Sequence, residues 1–394
     1  MTAVHLPTAA GTTTTHRLGE PGPWRRPSAP LTSRVAFAAA HVVPLGLADN
    51  TPGAPAAVDW DTTLAYRHEL WSYGLGVADA MDTAQRGMGL DWAATQELVR
   101  RSGAEAAAVG GSLACGAGTD QLDLGTLPDG PAGLQRVVEA YREQIALVTG
   151  AGARVVLMAS RALARLARSA EDYHHVYATL LAEVTEPVIL HWLGPMFDPA
   201  LAGYWGSTDV PTATTTFTAL VREHAAAVDG VKVSLLDAAH EVALRRELAA
   251  LPEPVRLYTG DDFNYPELID GDGTHHSDAL LGIFAAIYPA ASTALQAYDA
   301  GRPAEGRAIL DSTRELGRHL FAAPTSSYKT GIAFLSWLNG RQAGFSMVAG
   351  LQSARSLPHL VRAFQLADGA GLLLDPELAA RRLGQLLAVH GFEA

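Results

Sequence analysis

A chain of 394 residues that is 48% hydrophobic has material for one large domain with added segments. Its formal charge of −12 disfavours nucleic acid or an anionic membrane as the main partner, because either calls for a basic face. Cys115 is the only cysteine, so an internal disulfide and a cysteine-based zinc site are excluded. With no signal-peptide pattern and no apolar run of about 18 residues, the expectation is a soluble cytoplasmic protein.

Residues 1–33 hold the threonine run Thr12 to Thr15, several prolines and glycines, and few apolar anchors. They are expected to form a loose N-terminal arm or a strap at an oligomer interface. From Arg34 short apolar runs alternate with stretches of helical period. The runs predict strands over residues 35–40, 75–81, 105–109, 154–158, 188–193, 231–235, 255–259 and 280–284. Between them lie amphipathic stretches such as Leu134, Val138, Tyr141, Ile145 and Val148, or Phe217, Leu220, Val221, His224 and Val228.

Eight strands alternating with helices predict an α/β fold closed as a (β/α)8 TIM barrel, over residues 34–302. An open doubly wound sheet would place a glycine-rich phosphate loop after its first strand, and His41-Val42-Val43-Pro44 is unlike one. From residue 303 to 394 the pattern is wholly helical, over 307–321, 328–338, 356–366 and 376–389. Such an extension suits a barrel flank or a subunit interface, so a homo-oligomer is expected.

In such a barrel the chemistry gathers at the C-terminal ends of the strands. Those ends carry His41, Asp82 with Thr83, Gly111 with Ser112, Ser160 with Arg161, His191 with Trp192, Lys232 with Ser234, and Asp261 with Asp262. Lys232 is the most informative. It lies within Val231-Lys232-Val233-Ser234-Leu235, where alternation puts Lys232 and Ser234 on one face and the apolar residues on the other. An ammonium inside a buried strand loses hydration, and desolvation lowers its pKa toward that of a nucleophilic amine able to form a Schiff base with a carbonyl. The plainer alternative is a strand-end lysine whose amine snorkels to water.

His191, on the preceding strand, is a candidate proton shuttle, or else a buried histidine satisfied by a backbone carbonyl. The loop Asp82-Thr83-Ala84-Gln85-Arg86 offers hydroxyl, guanidinium and backbone donors, with Arg86 as a bidentate carboxylate clamp; an ordinary capped loop is the alternative. Ser112 and Ser234 are candidate substrate contacts. Asp261 and Asp262 are candidates for steering the lysine's proton or binding substrate hydroxyls, against a role as helix N-caps. A second reading takes His41, Asp82, His191, Asp261, His275 and His276 as a divalent-cation site of a sugar isomerase or hydrolase. No His-x-His pair or His-Glu-x-x-His motif supports it. A third reading is a barrel without catalysis that binds a ligand.

Three segments resemble the dihydrodipicolinate synthase and N-acetylneuraminate lyase superfamily of class I aldolases, and within it a divergent actinobacterial branch labelled dihydrodipicolinate synthase-like. Gly230-Val231-Lys232 is similar to the strand bearing the Schiff-base lysine. Tyr258-Thr259-Gly260-Asp261-Asp262 is similar to a Ser-Gly-Asp-Asp strand ending, and Pro187-Val188-Ile189-Leu190-His191-Trp192 to an Ile-Leu-Tyr-Asn strand. The resemblance covers the chain from about Arg34 onward. It implies a cofactor-free and metal-free lyase or dehydratase that forms an imine between Lys232 and a keto acid or sugar-derived carbonyl compound. Three departures stand out. His191 replaces the family's tyrosine, Asp82-Thr83-Ala84-Gln85-Arg86 replaces its Gly-Thr-Thr-Gly-Glu carboxylate loop, and Gly194 to Asp198 lack its arginine. Dihydrodipicolinate synthesis itself is therefore not the expected reaction.

Overall fold

The computed structural model describes residues 2–8 and 12–392. A short antiparallel pair, β1 (Ala3–Pro7) and β2 (Thr13–Arg17), precedes the main body. Eight strands then follow: β3 (Ala36–Ala39), β4 (Gly76–Asp79), β5 (Leu113–Ala117), β6 (Arg154–Leu157), β7 (Val188–Leu193), β8 (Val228–Ser234), β9 (Arg256–Thr259) and β10 (Asp278–Leu281). Each pairs in parallel with the next, and β10 pairs with β3 to close the barrel. The outer layer comprises α1 (Trp60–Ser72), α2 (Trp92–Val109), α3 (Pro131–Gly150), α4 (Arg161–Leu166), α5 (Ala170–Leu181), α6 (Val210–Glu223), α7 (Ala238–Ala249), α8 (Tyr265–Asp270) and α9 (Phe284–Asp299). The chain ends in α10 (Pro303–Leu320), α11 (Tyr328–Leu338), α12 (Leu357–Gly369) and α13 (Pro376–Val389). The architecture is a (β/α)8 TIM barrel with extra C-terminal helices. Among the described residues no helix is long and apolar enough to cross a membrane.

Alternation along the strands separates two cores. Phe37, Ala39, Ala78, Ala114, Val156, Ile189, Tyr258 and Leu280 fill the barrel interior, while Val77, Val155, Leu190, Val231, Val233 and Leu257 face the helices. Small residues on β3 to β5 make room for the Phe37 and Tyr258 rings, whose centroids are 6.2 Å apart. The interior is thus packed shut below the site, and only its upper end is available for chemistry.

One expected strand is displaced. Residues 105–109 close α2 rather than forming a strand, and the third barrel strand is Leu113–Ala117. Glu105-Ala106-Ala107-Ala108 is a run of good helix formers. Gly110, at φ +66°, ends that helix by returning its N–H to the Ala106 carbonyl. Ser112 therefore precedes its strand and lies at the barrel's lower rim, where its carbonyl accepts from the Val77 N–H and Trp71 Nε1. It is not part of the mouth.

The expected loose arm is also docked. Val4 and Leu6 are buried, and β1 packs on α13. His16 Nε2 lies 2.8 Å from Asp368 Oδ2, the Gly22 N–H and Trp24 Nε1 both donate to the Gly371 carbonyl, and the Thr32 and Ser33 N–H groups donate to Asp299. Polar anchors on α9 and at the end of α12 supply the hold that the segment's own apolar content does not.

A fully buried ion pair fixes the route from β4 into the mouth. Arg67 Nε and Nη2 donate to the two Asp79 oxygens at 2.9 and 2.8 Å, and its Nη1 donates to the His41 and Thr63 carbonyls. Ser102 Oγ adds a third donor to Asp79. Removing the cation leaves a buried carboxylate without its partner. We expect Arg67→Met to cost about 3–5 kcal/mol, read as a lowered urea midpoint with an unchanged denaturant slope.

Candidate active site

Strand register puts His191, Lys232 and Tyr258 side by side on β7, β8 and β9. All three point inward, and Lys232, only 7% exposed, rises from the packed layer into the mouth. Its Nζ lies 3.1 Å from His191 Nε2, which in turn lies 3.1 Å from Ser234 Oγ. Among the described residues no carboxylate comes within ion-pair distance of this amine. Burial pushes the Lys232 pKa below its ordinary value, opposed by the charges of Asp82 and Asp262. Burial, and secondarily the Lys232 cation, hold His191 well below 6.5. The imidazole is therefore neutral at pH 7, and its Nε2 is placed to exchange a proton with the amine.

Gly260 makes the approach feasible. A Cβ there would overlap Ser234 Oγ and lie 2.7 Å from the Val233 carbonyl and 3.1 Å from Lys232 Cε. The next two residues diverge in role. Asp261 accepts from the Phe263 and Asn264 N–H groups and from Asn264 Nδ2, so it holds the turn into α8 as a capping group does. Asp262 is fully buried, accepts from the Ile283 N–H at 2.8 Å, and is pushed by burial up to about 8. It is mainly protonated at neutral pH and electrostatically linked to Lys232.

The turn after β4 supplies Asp82 and Thr83. Both meet Tyr328, the first residue of α11: its hydroxyl hydrogen-bonds Thr83 Oγ1 and donates to Asp82 Oδ2 at 3.2 Å. Phe321 stacks on the Tyr328 ring at 4.1 Å, so the C-terminal extension forms one wall of the mouth. Arg86 is not a free clamp. It donates to Asp120 through Nε and Nη2 at 3.0 and 2.6 Å, to the Ala80 and Gly116 carbonyls, and to Gln144 Oε1. With its donors committed, it ties the β4 and β5 loops together and lines the cavity only with its edge.

That cavity, of about 220 Å³, is bounded by Asp82, Gly87, Thr119, Ser160, Arg161 and His191. A larger groove of about 570 Å³ lies at the opposite rim, around the ends of α3 and α5 and the start of β7, away from every group described above. The six residues of the alternative cation site do not converge. His41 pairs with Gln342, and His275 and His276 precede β10 at the lower rim. Among the described residues no three His, Cys, Asp or Glu side chains group as metal ligands.

Two residues of the mouth, Tyr328 and Lys329, escaped the strand-end reading because they belong to α11. Composition holds a signal for one of them. Only two of the 29 basic residues are lysines, Lys232 and Lys329, and both are buried.

Fold and mouth together define a (β/α)8 TIM barrel with its candidate groups gathered at the C-terminal ends of the strands. The chain belongs to the family described as "Protein of unknown function (DUF993)", whose family model matches residues 4–392. No curated protein matches the sequence. Among solved structures it is similar to YagE, a prophage protein of the dihydrodipicolinic acid synthase family from E. coli K12 in complex with pyruvate. The TM-score is 0.64 at 14% identity, covering 86% of this chain and 99% of that one. Dihydrodipicolinate synthase from Thermotoga maritima matches with a TM-score of 0.63 at 12% identity, over 87% and 100% of the two chains. A putative dihydrodipicolinate synthetase from Pseudomonas aeruginosa gives 0.61 at 14%, over 85% and 99%. These likenesses concern the fold.

Two outcomes test the site's construction. Gly260→Ala is expected to displace Lys232 and Ser234 and to abolish amine reactivity in a folded barrel, checked by amine labelling alongside circular dichroism. For Asp262 the folded-state pKa is raised, from 3.8 to about 8. Its contribution to stability is therefore complete below about 4 and is lost as pH rises toward 8. Asp262→Asn removes that slope, so urea titrations across the interval should show a smaller loss of stability in the variant than in the native protein.

Proposed function

We propose that the protein is a class I aldolase-like lyase or dehydratase that forms an imine between Lys232 and a keto acid or sugar-derived carbonyl compound. The observation that carries this reading is a desolvated lysine amine without a carboxylate partner, 3.1 Å from a neutral imidazole that lines a cavity. The fold shared with the dihydrodipicolinate synthases supports it, as does the pyruvate bound in YagE.

In this scheme the free amine of Lys232 adds its lone pair to the carbonyl carbon, and the carbonyl oxygen takes a proton to give a carbinolamine. The nitrogen loses a proton, the hydroxyl leaves as water with another, and the imine remains. His191, within reach of the nitrogen, moves the amine's proton. Asp262, neutral at pH 7, is a proton source on the same side of the mouth. The protonated imine then withdraws the electron pair of a neighbouring C–C or C–H bond. For C–O elimination, the pair from the C–H bond expels the adjacent oxygen. Tyr328, hydrogen-bonded to Thr83 and Asp82, suits proton transfer at the departing group. Water hydrolyses the imine and restores Lys232. Ser234 orients His191, while Arg86 and Asp261 keep the loops in place.

Incubation with a panel of keto acids and keto sugars followed by borohydride reduction is expected to leave a mass increment on the peptide carrying Lys232. Lys232→Met should abolish it, and His191→Phe should slow its formation by about 10²-fold. An adduct confined to other amines, or none across the panel, overturns imine chemistry. The trapping rate should rise with pH as Lys232 loses its proton. Because the Asp262 carboxylate raises the Lys232 pKa, Asp262→Asn should move that rise to lower pH.

A further inference from the structure

Arginine carries every basic position except two: the chain has 27 arginines and two lysines. A guanidinium is a planar, permanently charged fork, whereas an ammonium is a compact point charge that fits where a fork does not. Lys232 is accounted for by its reactivity. Lys329 is not, although it is 2% exposed and stands beside the same mouth.

Its surroundings are short of negative charge. Lys329 Nζ donates to Met88 Sδ at 3.5 Å and lies 5.0 Å from the centroid of the Tyr328 ring. Among the described residues no carboxylate is within ion-pair distance. Lys329 is also the second residue of α11, at the helix end where the backbone dipole repels a cation and attracts an anion. A buried ammonium in that position costs several kcal/mol unless something supplies a counter-charge. The Gly87-Met88 step lies against Lys329 on one side. On the other, Arg161 Nη1 would sit 3.3 Å from a Cβ at Gly87. Gly87 and Arg161 both line the cavity. Arg161, paired with Asp198, keeps about half its side chain exposed. Asp82 acts electrostatically on both lysines, and burial is the main influence on Lys329.

We propose that Lys329, with Arg161 beyond the Gly87-Met88 step, binds a second anionic group of the substrate, a carboxylate or phosphate distal to the carbonyl. This deepens the imine reading and rests on it for the other end of the molecule. Asp82 then separates the two ends: the carbonyl lies on the Lys232 side and the remote anion on the Lys329 side. Substrates would be dianionic keto acids or phosphorylated keto sugars rather than simple monoanions.

The test has two arms on full-length protein. Borohydride trapping at Lys232 compares pyruvate with 2-oxoglutarate and with dihydroxyacetone phosphate. The native protein is expected to half-saturate at a concentration at least about tenfold lower for one of the latter two. Lys329→Met should erase that preference, bringing the half-saturating concentration of the favoured compound to within about twofold of that for pyruvate in the same variant. Which of the two shows the preference identifies carboxylate or phosphate as the remote group. Equal concentrations for all three in the native protein, or a preference surviving in Lys329→Met, overturns the proposal. Calorimetric titration with succinate and with inorganic phosphate reads the subsite without imine chemistry. Binding of either that Lys329→Met weakens by about tenfold or more supports the subsite even if nothing is trapped at Lys232, in which case the imine reading alone fails. No binding of either anion, or binding indifferent to the substitution, removes the subsite. Because methionine fills the same volume without a charge, Lys329→Met should melt no lower than the native protein. A lower melting temperature with anion binding retained would assign Lys329 a packing role and overturn the proposal.

Discussion

The structure turns on the desolvation of one ammonium group. Placing Lys232 on the inner face of a closed barrel strips its water and leaves it facing an imidazole rather than a carboxylate. A nearby ionised carboxylate would stabilise the cation and suppress the free amine. Two acids lie in electrostatic reach and oppose the loss of the lysine's proton, but neither forms an ion pair with it. Asp262 is kept mainly neutral by its own burial, and Asp82 is engaged by the Tyr328 hydroxyl. Gly260 belongs to the same arrangement, since it withholds a carbon that would collide with Ser234 Oγ and the Val233 carbonyl and crowd the lysine's stem.

Around that constraint the barrel divides its labour by height. Phe37, Ile189, Tyr258 and their neighbours seal the interior, and the Arg67–Asp79 pair pins the end of β4 where the chain turns toward Asp82. Arg86 welds the β4 and β5 loops through Asp120 and two carbonyls. These charged residues are costly to bury singly, yet in pairs they immobilise the loops that hold reactive groups.

Period-two alternation sufficed to place Lys232 and Ser234 on the inner face, and the strand order sufficed to put His191 next to them. Such relations are local or follow from closure of the barrel, so a linear pattern records them. Ser112 was misassigned because an alanine-rich helix end and a short strand of small residues look alike until a left-handed Gly110 separates them. Arg86 was legible as a cavity residue but not as a committed one: its partners Asp120 and Gln144 lie on later elements. Tyr328 and Lys329 were beyond any strand-end rule, because tertiary folding alone brings α11 over the mouth. The scarcity of lysine is plain in the composition, but only the fold shows that both copies are buried.

The docking of the two termini has a consequence for how the mouth comes into being. The barrel strands end at Leu281, whereas Tyr328 and Lys329 arrive with α11, and the N-terminal segment is held by Asp299, Asp368 and Gly371 on helices that follow the barrel. A chain emerging from the ribosome can therefore close its eight strands before one wall of the mouth exists. Until α11 settles, Asp82 and Thr83 lack the Tyr328 hydroxyl that engages them. The segment before the barrel, in turn, finds its anchors only once α9 and α12 have folded.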